Sequence, residues 1–187
     1  PRSHLFPKEG TANLMITLKP IRLKNMETFR HRLITLEDTR FLHCDIKTLN
    51  LIPSVMAAQT AEEAGCTEAV LHRGDRVTEG AHSNVLIIKD GVLKTAPCDN
   101  LILPGITRMH VLQLAKQCGI PVEEKPFTVA ELKDADEILV TSSSALCLRA
   151  ESIDGQAVRQ SAPELVQQLQ KAYQEKFERE TVGSLRK

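Results

Sequence analysis

Four short segments carry groups that could do chemistry, with polar groups at element ends, where binding loops tend to lie. They are Cys44-Asp45-Ile46-Lys47-Thr48-Leu49-Asn50, Val77-Thr78-Glu79-Gly80, Leu103-Pro104-Gly105-Ile106-Thr107-Arg108 and Val140-Thr141-Ser142-Ser143-Ser144. Lys47 stands beside Ile46, Leu49 and Leu51 rather than among charges. An amine in that company can serve as a nucleophile toward a carbonyl. Glu79 likewise follows an apolar stretch and Val77, not a charge run. L-P-G-I-T-R places Gly105 and Thr107 at a helix start, where free backbone N–H groups and a hydroxyl attract an anion such as phosphate. The same residues also read as an ordinary helix start. T-S-S-S offers hydroxyls and loop amides after a strand, and it too reads as either an anion loop or a plain polar turn.

The elements that must position these groups follow from the pattern. Asn13–Lys19 predicts a strand, and Pro20 with Lys24-Asn25 predicts a linker near residues 20–26. Arg32–Leu36, Glu68–Arg73, Ser83–Lys89 and Glu137–Ser142 predict further strands. Asp90-Gly91 between Ile88 and Val92 signals a hairpin, Gly74-Asp75 turns the chain before Val77, and Asp154-Gly155 marks another turn. Leu51–Ala64 predicts a helix with Pro53 in its first turn and Gly65 at its end. Ile106–Gln117 predicts a second helix, closed by Gly119. S-A-P-E at Ser161–Glu164 predicts a capped third helix running to about Glu178. Mixed strands and helices from about residue 26 onward argue an α/β (α+β) domain.

Composition excludes several classes. Twenty-four basic residues balance twenty-four acidic ones, which gives no reason to expect a nucleic-acid or membrane-surface partner. The apolar runs are too short to span a membrane, and no secretory leader is visible. Cys44, Cys66, Cys98, Cys118 and Cys147 are scattered without a C-x-x-C pair. Reduced thiols in a cytoplasmic protein are expected, with no metal site. The chain opens Pro-Arg-Ser-His without an initiating Met, so it reads as part of something longer.

Taken together, one amine, one carboxylate and two phosphate-type loops form the set that a pyridoxal 5'-phosphate (PLP) enzyme needs. C-D-I-K-T-L-N, V-T-E-G-x-x-S-N, L-P-G-I-T-R and V-T-S-S resemble the fold-type IV (class IV) PLP-dependent aminotransferases, in the same order and spacing. The resemblance runs through residues 42–145 and more weakly beyond. Within the family, C-D-I-K-T-L-N looks most like the D-amino-acid transaminases, as does Arg2-Ser3-His4.

The resemblance implies a fold and a set of roles. Residues 23–187 would form the large C-terminal domain, a mixed-sheet pseudo-barrel with flanking helices. Residues 1–22 would be the end of a smaller N-terminal domain whose remainder precedes Pro1. Lys47 would form the Schiff base with PLP and shuttle the proton. Glu79 would pair with the pyridine nitrogen, Leu103 would pack on the ring, Ile106 and Thr107 would hold the phosphate, and Ser143 would assist. Arg2 and His4 would grip the substrate carboxylate across a homodimer interface, where Arg offers a two-pronged fork. The reaction implied is ping-pong transamination between a D-alanine-like amino acid and a 2-oxo acid such as 2-oxoglutarate. The alternatives are an aminodeoxychorismate lyase, a branched-chain L-amino-acid aminotransferase, or a non-catalytic module that keeps the fold. Three positions depart from the pattern: Ala81-His82 stands where a pair of serines is usual, and Ser143 where Thr is usual.

Overall fold

The structure is a computed structural model that describes residues 5, 8–11 and 13–181. In chain order the elements are β1 (Arg30–Glu37), α1 (Ile52–Glu63), β2 (Glu68–Arg73), β3 (Arg76–Gly80), β4 (Asn84–Lys89), β5 (Val92–Thr95), α2 (Ile106–Gln117), β6 (Val122–Glu124), α3 (Val129–Lys133), β7 (Glu137–Ser142), β8 (Leu146–Ile153), β9 (Gln156–Ala157) and α4 (Pro163–Thr181). The continuous apolar runs of β4 and β7 are explained by burial on both faces. Leu86, Ile88 and Leu139 pack with α2 and α4 residues such as Val111, Leu112, Val166 and Leu169. Their neighbours Val85, Ile87, Ile138 and Val140 point the other way, into a second core with Leu33, Val70 and Phe127. The period of two thus assigns alternate residues of one strand to two cores.

The strands form one mixed sheet in the order β3-β2-β1-β8-β7-β4-β5-β6, with β9 beside β8. β1 runs parallel to both β2 and β8, and β5 parallel to β6, while the other pairs are antiparallel. Consecutive strands β3 and β4 are therefore far apart in sheet order. The sheet curls to bring them together, and the Asn84 amide at the start of β4 donates to the Glu79 carboxylate in β3 at 2.9 Å. A curled mixed sheet with helices against it is the expected α/β pseudo-barrel. No helix among the described residues is long and apolar enough to cross a membrane.

Most expected elements form, with boundaries moved by a residue or two. Asn13–Lys19 is the exception: it has no regular structure, and Leu14, Met15, Ile16 and Leu18 are exposed. A strand needs a neighbour to complete its hydrogen-bond ladder, and none lies beside this stretch among the described residues. α4 starts at Pro163, so Ala162 rather than Ser161 stands before it, and the Ser161 side chain bonds Asp136 instead. A capping box forms elsewhere, between Thr128 and Glu131 at α3.

β8 carries Arg149 into the interior because Glu137 of β7 meets it. Both are buried, and the guanidinium reaches the two carboxylate oxygens at 2.7 and 2.8 Å. Removing one partner strands a buried charge, which typically costs about 3–5 kcal/mol. Arg149→Met should therefore lower unfolding free energy by roughly that amount. Glu137→Met with Arg149→Met should restore most of it in chemical denaturation. A double variant no more stable than the single one contradicts this.

Candidate active site

A cleft of about 780 Å³ opens at the end of the curled sheet where β3 and β4 meet. Lys47, Glu79, Leu103, Ile106, Thr107 and Ser143 all line it. The six positions span almost a hundred residues of chain, so their convergence is a property of the fold. Arg2 and His4 lie outside the described residues.

Glu79 is fixed most tightly. It is 4% exposed. One oxygen, Oε2, accepts from the Asn84 amide at 2.9 Å and from the Leu103 backbone N–H at 3.0 Å. The other, Oε1, accepts from Arg40 at 2.6 Å and keeps acceptor capacity to spare. Arg40 is shared with a second acid. Asp38 takes its Nε at 2.9 Å, its Nη2 at 2.9 Å and its backbone N–H at 3.0 Å, and also receives Arg73 and Thr78. Asp38 is held below its ordinary range by Arg40 and Arg73, despite burial. Glu79 is left with the smaller share of positive charge. Burial pushes its carboxyl up to about 7, against the pull of Arg40 and the Leu103 N–H, with Asp38 adding to the rise. A buried acid in that balance has room for a further cationic donor.

The same knot positions the anion-binding side. Asn84 donates to the Leu103 carbonyl at 2.9 Å as well as to Glu79. Gly105, which precedes α2, lies so close to Asn84 that a Cβ there would meet its Oδ1 at 2.1 Å. No side chain caps α2, so its first amides face the cleft with the positive end of the helix. Thr107 is buried in this first turn, within hydrogen-bonding reach of Tyr173 in α4. Opposite, Ser142 uses its hydroxyl to accept from Ala145 N–H at 3.0 Å, which shapes the turn that presents Ser143. Thr141 also lines the cleft, and its buried hydroxyl has no partner among the described residues.

Lys47 lies in the loop between β1 and α1. The loop is pinned by Cys44 N–H to the Asn100 carbonyl at 2.9 Å and by the Asn100 amide to the Leu42 carbonyl at 2.8 Å. Cys44 is buried there as packing, its thiol raised chiefly by burial and donating to the Phe41 carbonyl at 3.2 Å. Lys47 is exposed on the cleft wall and has no hydrogen-bond or ion-pair partner among the described residues. The cleft therefore presents one free amine, one buried acid and one anion-attracting helix start. Sequence reasoning missed Arg40 and Asp38 as parts of it, and Thr141 was read only within the T-S-S-S loop. Asn84 lay within a quoted motif but was given no role.

These features define a class. The chain matches the class IV amino-transferase family over residues 3–153 and belongs to that family. It is 44% identical over 161 residues to the D-alanine aminotransferase of Listeria monocytogenes serotype 4b (strain F2365), covering 83% of this chain and 55% of that protein. It is 43% identical over 187 residues to the D-alanine aminotransferase of Bacillus licheniformis, covering 99% of this chain and 66% of that protein. The chain thus spans between about half and two thirds of the length of these relatives. Among solved structures, the branched-chain amino acid aminotransferase from Thermobaculum terrenum in its PLP form superposes with a TM-score of 0.74 at 29% identity, over 82% of this chain and 53% of that one. The branched-chain aminotransferase from Thermoproteus uzoniensis with norvaline gives 0.67 at 28% identity, over 80% and 52%.

Glu79 sets a pH dependence. Its folded value, about 7, lies above the ordinary 4.5, so the native state holds a proton that the unfolded state has released. Stability of the cofactor-free protein should fall as pH rises between those two values. Glu79→Gln should flatten the stability profile across that window in denaturant titrations. An unchanged slope contradicts the assignment.

Proposed function

We propose that the chain is the cofactor-binding part of a PLP-dependent aminotransferase that acts on a D-alanine-like amino acid and a 2-oxo acid such as 2-oxoglutarate. The observation that carries the reading is the convergence of Lys47, Glu79 and the α2 start on one cleft. The residues present fit PLP. Glu79 Oε1 has capacity for the pyridine N–H, the uncapped α2 start with Thr107 and Ser143 suits the phosphate, and Thr141 has a buried hydroxyl without a partner. Bound PLP supplies an aldehyde for attachment to an amine and an aromatic ring that accepts electrons.

The chain's own residues do the rest. The Lys47 amine would hold the cofactor and would move the proton at the substrate Cα. Glu79 would pair with the pyridine N–H and keep that nitrogen protonated. Arg40 and Asn84 hold Glu79 in place. Leu103 would pack on the ring, and Ile106 and Thr107 would hold the phosphate. Arg2 and His4 would bind the substrate carboxylate from the partner copy of a homodimer, and residues 1–22 would be the end of a separate N-terminal domain. All five cysteines are unpaired, which fits a reducing compartment such as the cytoplasm.

The branched-chain alternative has its own observation, the superposition on branched-chain enzymes. The D-alanine reading is favoured because identity to the D-alanine enzymes is 41–44%, against 27–29% for those branched-chain structures with a TM-score of 0.67 or above. The experiment is turnover by the full-length protein with D-alanine and 2-oxoglutarate, followed as glutamate and pyruvate. D-alanine should be used and L-leucine poorly. Glu79→Gln should lower kcat by roughly a hundred-fold or more, a common scale for losing one electrostatic group in an active site. Turnover of L-leucine alone establishes the branched-chain reading instead.

A further inference from the structure

His82 occupies a turn built around a buried acid. Glu68 is 2% exposed and accepts from Ala69 N–H at 3.0 Å, Ala81 N–H at 3.2 Å and the Ser83 hydroxyl at 2.8 Å. Gly80 N–H closes the turn onto the Ser83 carbonyl at 2.7 Å. A Cβ at Gly80 would fall 2.1 Å from Ser83 Oγ, so the turn requires glycine there. The turn presents His82 with Nδ1 at 3.2 Å from Glu68 Oε2 and its side chain 66% exposed. His82 also lines the cleft.

The chemistry of this pair is directional. Nδ1 facing a carboxylate is a donor, so Nε2 donates only when the ring is an imidazolium, and Glu68 balances that charge. Nε2 has no polar partner among the described residues. The other ionisable groups nearby leave His82 available. His31 of β1 is pushed down to about 4, chiefly by burial, and so is neutral; its Nδ1 is paired with Thr67 at 2.9 Å. Of the other cations lining the cleft, Arg40 is held between Asp38 and Glu79, and Lys47 is the reacting amine.

We propose that His82, oriented by Glu68, binds the second carboxylate of a dicarboxylic substrate and so sets a preference for 2-oxoglutarate-type acceptors. The proposal rests on the aminotransferase reading and adds to it the side chain that reads the second carboxylate. The cofactor phosphate presents the same anionic oxygens, but the cleft has a separate set for it at α2 and Ser143.

The test uses the full-length, PLP-loaded protein and its His82→Ala and His82→Gln variants. With D-alanine as donor, the ratio of kcat/KM for 2-oxoglutarate over 2-oxobutyrate should fall about ten-fold in His82→Ala, the scale of one charge-assisted hydrogen bond. His82→Gln, which keeps a neutral donor, should lose less. An unchanged ratio overturns the proposal. An unchanged ratio with weakened PLP affinity assigns His82 to the phosphate and also overturns it. A second arm does not need turnover: the His82 ring is followed by NMR during titration with glutarate and with butyrate. Saturating shifts with glutarate alone are expected, and equal responses overturn the proposal. Failure of the wild type to turn over any oxo acid refutes the aminotransferase reading, and the glutarate arm then still decides this one.

Discussion

The architecture of the site depends on one buried carboxylate. Glu79 is reached by a guanidinium, a side-chain amide and a backbone N–H, each from a different part of the chain. Those three donors tie β3 to the loop after β1, to the start of β4 and to the loop before α2. The curl of the sheet and the placement of the anion-attracting helix start are linked through this single group. The cost of burying it is left partly uncompensated, because Asp38 takes the larger share of Arg40. In structural terms that is a weakness. For chemistry it is what leaves Glu79 able to accept a cationic ligand.

Around that acid the cleft separates its tasks. The amine on the β1–α1 loop is free of partners among the described residues and lines the same cleft as Glu79 and the α2 start. The anion side is built from backbone amides and hydroxyls, whose dipoles attract phosphate without adding a titratable group. The β3–β4 turn adds a third kind of group, an imidazole backed by a buried acid. Three chemistries thus come from three loops at one end of a rigid curled sheet, an arrangement that lets loops vary while the scaffold stays fixed.

Local signals in the sequence were good guides to local structure. The Asp90-Gly91 hairpin, the Pro53 helix and the α2 helix form because their turn residues and periodicity suffice without distant partners. Lys47, Glu79, Leu103, Ile106, Thr107 and Ser143 were legible through motifs, and they share one cleft. What escaped notice depends on partners remote in sequence. Arg40 looks like any surface arginine until Glu79, 39 residues away, is folded against it. β8 holds Arg149 and Glu151 and does not read as a buried strand until Glu137 receives the arginine. The reverse error at Asn13–Lys19 has the same origin: its residues suit a strand, but no strand among the described residues pairs with it. The capping box at Thr128 and Glu131 was readable by spacing alone and was overlooked because α3 is a single short turn-and-a-half with little periodicity.

The central claim is that Lys47 carries the cofactor. Borohydride reduction of the PLP-loaded, full-length protein, followed by peptide mapping, tests it directly. The account predicts a pyridoxyl adduct on the peptide containing Lys47, with loss of the visible absorbance and none of either in Lys47→Ala. An adduct on another lysine, or no adduct at all, would contradict it.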